Sequence, residues 1–586
     1  MGTSEASADR WSRLHVPFPP EGETIGGGAS VGGAVGHAAW IAADRGPVQR
    51  RGRSALRRAR RGGRAVAKFV WSGRAARGPT RGEADVPTDR ILTLDLGGSG
   101  LKAGLFAPDG TLQATASVPM AFDEPREGIS EQDPAVWWAG ARQALSEIAA
   151  AAGPDFDRVS GIAICGFTRT QVLLDAEGCV VRPAIGFRDA RAGAEVAAAL
   201  ARPEFAAHPA ARPFNVFHPL ARLLWVAAHE PEVWSKVAWV VEPKDHLNFR
   251  LTGRVASDAV SQHWMAMATA GGSDSLAALA GIRPPALPPL FAPHAIVGRV
   301  RPSDDPVMAR LAGVPVFCGA NDSWAAAAGL GALAPGRAYG ISGSSEVFGL
   351  IADHAAEAEG LLTLPWGDGL WQIGGPGLNG ANALAWIVDR LDRSDLPFEA
   401  KLAGLLAGPR HAAPLLFLPY LVGERTPFWD GDLRAAFLGL GAGHGPADLV
   451  RAVMEGVAFH ARLVLERAEA AVGRRASEVR LGGGGAASSV WNQIRADGIG
   501  REIVAMPQRQ TGLAGCFAVA QVGLGLAPDL AAAIDGAGLA FERFRPDPAA
   551  ARRADRLHAI FRESQGFVAD VSRRLAAIDR DPSASG

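Results

Sequence analysis

Cysteines and long apolar segments are both scarce in this sequence of 586 residues. The four cysteines, Cys165, Cys179, Cys318 and Cys516, are widely separated and lack CxxC spacing, so neither a disulfide framework nor a zinc site is indicated. No window holds about 18 uninterrupted apolar residues, and the first twenty residues lack the basic-then-apolar pattern of a signal peptide. We therefore expect a cytoplasmic protein without a membrane span, whose cysteines are reduced core residues.

Net charge is also absent, because 60 Lys and Arg balance 60 Asp and Glu. Positive charge is concentrated near the start of the chain, where RRGRSALRRARRGGR (residues 50–64) follows a Gly- and Ala-rich stretch. No sustained apolar period could bury a face here, so residues 1–89 are predicted to form a disordered extension. The arginines could bind nucleic acid or anionic lipid, but a solvated tail is the simpler interpretation, and we expect neither partner.

What the sequence does contain is a regular alternation of apolar strands with Ala- and Leu-rich helices, which predicts an α/β fold. In DPAVWWAGARQALSEIAAAAG, Asp133 can cap a helix and Pro134 can take its first position. The length exceeds that of one ordinary core, and a strand–turn–strand pattern occurs twice, at residues 91–106 and 337–351. We predict two domains of related design, residues 90–335 and 336–545, followed by a C-terminal helical tail over residues 546–586.

The first strand–turn–strand unit, ILTLDLGGSGLKAGLF, has the composition of a phosphate-binding turn. Glycines at 97, 98 and 100 allow close approach to the backbone, while Ser99 and Lys102 supply a hydroxyl and a cation. Asp95 could hold Mg²⁺ beside the phosphate, or it could be a turn former that bonds its own backbone. The turn matches neither GxxxxGK[ST] nor a GxGxxG that opens a helix.

A second candidate is Asp322 in VPVFCGANDSWAAAAGLGAL. Residues 314–318 read as a buried strand and residues 319–321 as a turn, so Asp322 or Ser323 is expected to cap the alanine-rich helix that follows. Asp322 is then either a plain N-cap or a general base at the carboxyl end of a strand. The following ISGSSE segment is a hairpin turn or a second phosphate turn, presenting Gly343, Ser344 and Ser345.

The third candidate is RLGGGGAASSVWNQIRADGIGREIVAMP, residues 480–507. Four glycines end a strand with bare backbone, and Ser488 or Ser489 then caps a helix in which Trp491 and Ile494 repeat at helical spacing. The definite elements on both sides favour a surface for a flat ring or a sugar over a flexible loop.

Taken in order, these segments resemble the FGGY carbohydrate kinase family, most nearly its xylulokinase-like members. The similarity covers about residues 90–530 and rests on DLGGSGLK, EQDP with Trp137, GANDSWAAAAG, SGSS, LPYLVGERTPFWD, RAVMEGVAF and GGGGAASSVWNQIRAD. The resemblance implies two actin-like domains, each with an RNase H-like core, and ATP with Mg²⁺ in the cleft between them.

The resemblance also implies roles for individual residues. Asp322 would be the general base that takes the proton from the attacking sugar hydroxyl, and Asp95 would hold Mg²⁺. The residues expected to cradle the phosphates are Gly97, Gly98, Ser99, Lys102, Gly343, Ser344 and Ser345. Those expected to border the adenosine are Gly483, Gly484, Gly485, Ala486 and Asn492.

The sugar site departs from the family. Where xylulokinase-like members have QMHG, this chain has Phe167, Thr168, Arg169 and Thr170. Arg169 either binds a different polyol or sugar, or makes a structural ion pair. FRDAR (residues 187–191) stands where the family has a WNDQR-like segment. The expected substrate ligands are Glu131, Arg169, Asp189, Arg191 and Asn321.

The expected substrate is a small sugar or polyol, most nearly a pentulose such as xylulose or ribulose. The sequence does not fix which sugar is bound or which hydroxyl is phosphorylated. The alternative is an actin-like ATP-binding sensor or switch without small-molecule kinase activity. A homodimer is a hypothesis for the assembly.

Overall fold

The opening hairpin forms as the apolar alternation predicts. In the computed structural model, which describes residues 89–122, 128–283, 286–508 and 510–580, Arg90–Gly97 pairs with Gly100–Phe106 in antiparallel register. Asp95 lies opposite Lys102, and Gly97 lies opposite Gly100. Apart from residue 89, the predicted disordered extension lies outside the described residues.

The strands of the described chain are β1 (Arg90–Gly97), β2 (Gly100–Phe106), β3 (Leu112–Pro119), β4 (Glu131–Gln132), β5 (Val159–Gly166), β6 (Val172–Leu174), β7 (Ala184–Ile185), β8 (Trp239–Val241), β9 (Ser257–Asp258), β10 (Leu290–Phe291), β11 (Ile296–Arg299), β12 (Pro315–Phe317), β13 (Arg337–Ser342), β14 (Glu346–Ala352), β15 (Leu362–Pro365), β16 (Trp371–Pro376), β17 (Leu416–Leu418), β18 (Ala436–Leu438), β19 (Glu478–Gly482), β20 (Ile503–Ala505) and β21 (Glu542–Phe544).

The α-helices of the described chain are α1 (Pro134–Ala152), α2 (Gly193–Leu200), α3 (Pro203–Ala206), α4 (Pro219–His229), α5 (Pro231–Lys236), α6 (Pro243–Thr252), α7 (His263–Thr269), α8 (Leu276–Leu279), α9 (Pro306–Arg310), α10 (Asp322–Gly329), α11 (Ala381–Leu391), α12 (Phe398–Leu406), α13 (Pro446–Val472), α14 (Ser489–Ile499), α15 (Thr511–Gly523), α16 (Leu530–Asp535) and α17 (Pro548–Asp579).

Two large mixed sheets organise these elements. The first has the order β11-β12-β5-β1-β2-β3 and the second the order β15-β16-β14-β13-β19-β20-β21. In each, a hairpin comes first and its leading strand then pairs in parallel with a later strand, β1 with β5 and β13 with β19. The α/β prediction is therefore confirmed. We call residues 90–335 the first lobe and residues 336–580 the second lobe.

Alternation along β1 divides its side chains between two core layers. Leu92, Leu94 and Leu96 pack under α1 and α6, in the outer core of the first lobe. Ile91 points the other way, into a central core that α10 and α15 share with both sheets. Asp95 is on the Ile91 side of the strand, so its carboxylate is directed towards this central layer.

Helices α10 and α15 cross in the central layer with backbone against backbone. A Cβ atom on Gly515 would overlap the carbonyl oxygen of Ala325, and one on Gly329 would overlap that of Thr511. The indole Nε1 of Trp324 also donates to the carbonyl oxygen of Trp366 at 2.8 Å, which ties α10 to the second lobe. The last helix of the first lobe is thus held by the second.

Three of the four cysteines lie in the core. Cys165, Cys318 and Cys516 are buried free thiols, but Cys179 is exposed, so its placement in the core was wrong; it follows a turn capped by Asp175. The predicted helical tail contains α17, whose Leu557 and Phe561 pack against β17 and α13 of the second lobe. No helix in the described part of the chain is both long enough and apolar enough to span a bilayer.

The helix crossing generates a prediction about stability. Gly515→Ala should destabilise the protein by about 1–3 kcal/mol or more, because the added methyl group forces two backbones apart. In the matched control Gly566→Ala, in α17, the new Cβ meets nothing within 4 Å, and a gain of about 0.5–1 kcal/mol is expected. Urea and thermal denaturation would measure both, and equal stability of the two variants would contradict the interpretation.

Candidate active site

The turn between β1 and β2 presents bare backbone at an open edge. Ser99 is exposed, and its carbonyl oxygen accepts a hydrogen bond from Met120 N at 3.1 Å. Gly100 has no room for a side chain, since a Cβ there would lie 2.7 Å from the carbonyl oxygen of Val118. The ring of Phe187 lies below Gly98. The turn is thus closely supported by its neighbours, and Ser99 at its tip is exposed.

Asp95 lies directly behind this turn. The thiol of Cys165 donates to its Oδ1 at 3.4 Å, and Gly512 of α15 leaves just enough space for Oδ2. Burial raises the pKa of Asp95, against the opposing effects of Lys102 and Cys165. These contacts turn the carboxylate towards α15 rather than over its own turn. A thiol is a weak partner for a carboxylate, so the site suits a cation.

Asp322 is the first residue of α10, not its cap. Asn321 is the N-cap: it has extended backbone, and its side chain accepts a hydrogen bond from Trp324 N at 2.9 Å. The prediction that Asp322 or Ser323 caps this helix was therefore wrong, because an Asn one residue earlier caps equally well. The Asp322 carboxylate accepts hydrogen bonds from Ser323, from N at 2.7 Å and from Oγ at 3.3 Å.

The two carboxylates act on each other. Burial and the negative charge of Asp95 raise the pKa of Asp322 to about 6, although Ser323 and Arg169 act in the opposite direction. A carboxylate with such a pKa can accept a proton near neutral pH and release it again. Asp95, Asp322 and Arg169 therefore share one electrostatic environment.

The backbone before Asp322 is fixed by close packing. Gly319 has φ +68°, and a Cβ there would overlap the carbonyl oxygen of Ile164 in β5. Asn321 forms a parallel β-bridge with Gly166, where β5 ends. Because the carboxyl ends of β5 and β12 meet here, Asp322 lies beside the segment that carries Arg169.

Arg169 has an unusual backbone and an accessible side chain. Its φ is +59°, and its carbonyl oxygen accepts a hydrogen bond from Arg222 Nη2 at 2.5 Å. The residue is exposed as a whole, yet desolvation by the surrounding protein and the positive charge of Arg425 lower the pKa of Arg169, while Glu242 and Asp322 raise it. Within the described residues it has no ion pair as close as 4.0 Å, which favours a role in binding over a structural one.

Three of the other predicted substrate ligands form one charged cluster. Arg191 pairs with Glu131 Oε1 and Asp189 Oδ2, each at 2.7 Å, and Arg182 pairs with the same Glu131 oxygen at 2.5 Å. Asp189 has no exposed surface and also accepts from Ser130 N at 2.8 Å, whereas the Glu131 side chain is 25% exposed. Asp189 thus orients Arg191, and Glu131 is the more accessible acid.

Arg222 is a member of this site that the sequence analysis missed. It is fully buried in α4, donates Nε to Gln171 Oε1 at 2.7 Å, and joins Arg169 to the Asp189 cluster. Burial lowers its pKa to about 10, so it stays charged at neutral pH. The available signal was an arginine within the apolar run PLARLLW, where a charged residue is out of place.

The second predicted phosphate turn joins β13 to β14. Ser344 and Ser345 are exposed, and the turn closes with Gly343 N donating to the carbonyl oxygen of Ser345 at 2.9 Å. The start of α11 supports it, because Ala381 N donates to Gly343 O at 3.0 Å and Asn382 N donates to Ser344 O at 3.1 Å. Like the first turn, it offers hydroxyls on a supported backbone.

The glycine-rich loop lies against the end of β13. Gly483 has φ +88°, and a Cβ there would lie 2.5 Å from the carbonyl oxygen of Ser342. Gly484 is exposed, but Gly485, Ala486 and Asn492 are buried. Asn492 has no exposed surface and donates Nδ2 to Ala486 O at 2.8 Å, so the structure places it beneath the loop. Ser488 caps α14, as one of the two predicted alternatives had it.

Arg495 ties the loop to the second turn. This buried side chain donates Nη1 to Gly485 O at 3.0 Å, and Nη2 to Ser342 Oγ at 2.7 Å and Glu346 Oε1 at 3.0 Å. Its guanidinium also stacks 3.8 Å from the ring centre of Trp491. One cation thereby holds two predicted nucleotide-binding segments together.

The start of α15 brings the separate segments to one place. Gly512 lies against Asp95, while the neighbouring Thr511 methyl would be 2.6 Å from a Cβ on Gly482. The first turn, the Asp95–Asp322 pair and the glycine-rich loop therefore surround a common point. Segments more than 400 residues apart in sequence, such as Leu94 and Cys516, touch here.

A magnesium ion fits the groups that are present. In the residues described, no cluster of three His, Cys, Asp or Glu side chains could form a complete protein site for a metal. Mg²⁺ is commonly held by one or two carboxylates together with water and substrate phosphates, and Asp95 behind the predicted phosphate-binding turn suits that arrangement.

Comparison with known proteins agrees with this geometry. The models of the FGGY family of carbohydrate kinases match residues 90–329 with the N-terminal domain and residues 338–524 with the C-terminal domain. The two-lobed α/β fold and the matches define a carbohydrate kinase. The chain belongs to the FGGY family, which confirms the resemblance and implies ATP as the phosphate donor. The alternative of a switch without kinase activity is set aside.

Individual relatives extend over most of the chain. The xylulose kinase of Escherichia coli (strain K12) is 32% identical over 429 residues, which is 70% of this chain and 85% of that protein. A gluconokinase of Bacillus licheniformis is 26% identical over 436 residues, 71% of this chain and 84% of that one. The structure of xylulose kinase from Rhodospirillum rubrum superposes with a TM-score of 0.71 at 30% identity, covering 82% of this chain and 99% of the other.

The role of Arg495 can be tested by nucleotide binding. Arg495→Met should weaken ATP binding roughly 10-fold or more, because it removes charge-assisted hydrogen bonds that hold both segments. The matched control is Arg501→Met, which removes a bidentate pair with Glu469 at 2.7 Å in the same lobe. Titration calorimetry would give both dissociation constants. Unchanged ATP affinity in a folded Arg495→Met protein would contradict the prediction.

Proposed function

We propose that this kinase transfers the γ-phosphoryl group of ATP to a hydroxyl of a pentulose, such as xylulose or ribulose, with Asp322 as general base. The observation that carries the proposal is the position of Asp322, beside Asp95 and the accessible Arg169, with its pKa raised to about 6. Homologues named xylulose kinase support the substrate class.

In the proposed reaction, the Asp322 carboxylate takes the proton of the sugar hydroxyl as its oxygen bonds to the γ-phosphorus. The bond between that phosphorus and the bridging β–γ oxygen breaks, and ADP leaves. Bound Mg²⁺ would neutralise phosphate charge, and Asp95 is the residue that would hold it. Most of the catalysis then comes from positioning and charge stabilisation, with a single reactive side chain.

The proposed ATP site uses backbone more than side chains. Gly97, Gly98 and Ser99 with Lys102 on one turn, and Gly343, Ser344 and Ser345 on the other, would cradle the phosphates with amides, hydroxyls and one cation. Gly483, Gly484 and Gly485 would leave a flat surface for the adenosine, supported from beneath by Ala486 and Asn492.

In the proposed sugar site, Arg169 would donate hydrogen bonds to substrate hydroxyls, and Glu131 would accept hydrogen bonds from them. Asn321 would lie beside the base. Asp189 would act through Arg191, with which it forms an ion pair from a fully buried position.

We also propose domain boundaries at residues 335/336 and 545/546, a cytoplasmic location and a homodimeric assembly. The boundaries are supported because strand β13 begins at Arg337 and strand β21 ends at Phe544.

Replacing the base gives the first test. Asp322→Asn should lower kcat roughly 100- to 10,000-fold while ATP binding is retained, because only proton removal is lost. ADP release would be followed with Mg-ATP against pentuloses, hexuloses, pentitols, tetritols, glycerol and gluconate. The control Asp529→Asn, at the start of α16, should keep full activity. A full kcat in Asp322→Asn would disprove the base, and a preference for gluconate or glycerol would disprove the pentulose.

The pH dependence follows from the raised pKa of Asp322. Only the ionised carboxylate can accept a proton, so kcat/KM should be level above about pH 6 and fall tenfold for each pH unit below it. A pH–rate profile at constant ionic strength, with ATP affinity measured at the same pH values, would separate this effect from nucleotide binding. A profile that stays level down to pH 4 would contradict it.

A further inference from the structure

The start of α6 buries a lysine between two aspartates, outside the set of residues that touch the proposed substrates. Lys244 is 1% exposed, and its Nζ lies 2.5 Å from Asp245 Oδ1 and 2.8 Å from Asp258 Oδ2. Burial alone would lower the pKa of Lys244, but the two carboxylates outweigh it and raise the pKa well above its ordinary value. The lysine is therefore a buried cation.

The same ammonium group reaches the strand that leads to Asp322. Lys244 Nζ lies 3.3 Å from the carbonyl oxygen of Cys318, and Asn248 Nδ2 donates to that oxygen at 2.9 Å. Cys318 directly follows β12 and precedes Gly319, whose left-handed backbone starts the turn towards α10. Two donors from one helix thus fix the carbonyl group directly after β12, four residues before the candidate base.

The same helix start also holds the Arg169 segment. Glu242 Oε2 accepts a hydrogen bond from Thr170 N at 3.3 Å, and Glu242 N donates to Asp245 Oδ2 at 3.0 Å. Asp245 therefore links the contact at Thr170 to Lys244 and, through it, to Cys318. Residues of one helical turn reach both sides of the proposed sugar site.

A buried ion group of this kind is a poor source of stability, because desolvation of the charges offsets much of their attraction. A well-packed apolar side chain could fill the same volume, so a different benefit is expected at this position. Unlike an apolar side chain, an ammonium group forms hydrogen bonds and ion pairs, and here it holds a carbonyl oxygen and two carboxylates at defined distances. Displacement of a reacting group by about 1 Å can lower a rate about 100-fold.

We propose that Lys244 is a positioning residue, which anchors the Cys318 carbonyl and so holds Asp322 in register with Arg169 for attack by the sugar hydroxyl. This inference rests on the proposed role of Asp322. It assigns the Lys244–Asp245–Asp258 group a task in the reaction, in addition to its place in the fold.

The test separates positioning from stability with two variants. Lys244→Met removes the ammonium group, keeps the length of the stem, and leaves two buried acids without a cation, so a lower Tm is expected. Lys244→Met/Asp258→Asn removes one of those acids, while the Asn oxygen can still accept from Val260 N and Ser261 N. The double variant should regain much of the lost Tm.

In the double variant, kcat should remain roughly 10- to 100-fold below that of the unmodified enzyme, with the Kd for ATP unchanged. The control Lys401→Met, which removes a lysine paired with Asp389 on the second lobe, should leave kcat and Tm unchanged. If kcat recovers together with Tm in the double variant, the role is purely structural and the proposal is overturned.

The proposal can fail separately from the function on which it rests. Full activity of Asp322→Asn would remove the general base, and with it the reason for positioning. An inactive Asp322→Asn enzyme combined with an active Lys244→Met/Asp258→Asn enzyme would leave the base in place and overturn only the role of Lys244.

Discussion

The contact of two helix backbones at Gly515 and Gly329 is the constraint on which the rest of this structure depends. It brings α10 and α15 together without intervening side chains, in the layer between the two sheets. Helix α10 begins with Asp322, and α15 begins beside Asp95 and the glycine-rich loop. The crossing therefore determines how far the candidate base lies from the proposed nucleotide site. Side chains at the crossing would move the candidate base away from the proposed nucleotide site.

Around this crossing, the acidic side chains and the basic side chains of the candidate site occupy different positions. The negative charge of Asp95 is close enough to Asp322 to raise the pKa of Asp322. Of the basic side chains nearby, some lie at the edge of the site and the others are buried behind it. Buried cations such as Arg495, Arg222 and Lys244 each hold a backbone carbonyl oxygen, at Gly485, Arg169 and Cys318. In all three cases a fixed charge holds a connecting segment outside the α-helices and β-strands. The accessible surface of the candidate site is left to residues such as Ser99, Ser344, Gly484 and Arg169.

Much of this could be predicted from local sequence. Apolar alternation gives β1, β2, β13 and β14, and glycine-rich turns after a strand gave the positions of the phosphate-binding candidates. The cap of α10 was misjudged because Asn321, Asp322 and Ser323 all have the chemistry of a cap, and only backbone geometry chooses among them. The burial of Asp189 and Asn492 depends on packing by distant segments, which no local pattern encodes. The contacts that connect Arg222 and Lys244 to the site are also distant in sequence: Gln171 is 51 residues from Arg222, and the Cys318 carbonyl is 74 residues from Lys244.

The tie between Trp324 and the carbonyl oxygen of Trp366 has a consequence for how such an enzyme can change over evolution. The helix that carries Asp322 belongs to the first lobe, yet its tryptophan and its glycine contact groups in the second lobe. The two halves are thus matched surfaces rather than interchangeable modules. Recombination that brings in a new first lobe from a relative must preserve this seam, whereas substitutions in the Arg169 segment, part of the proposed sugar site, leave the seam undisturbed.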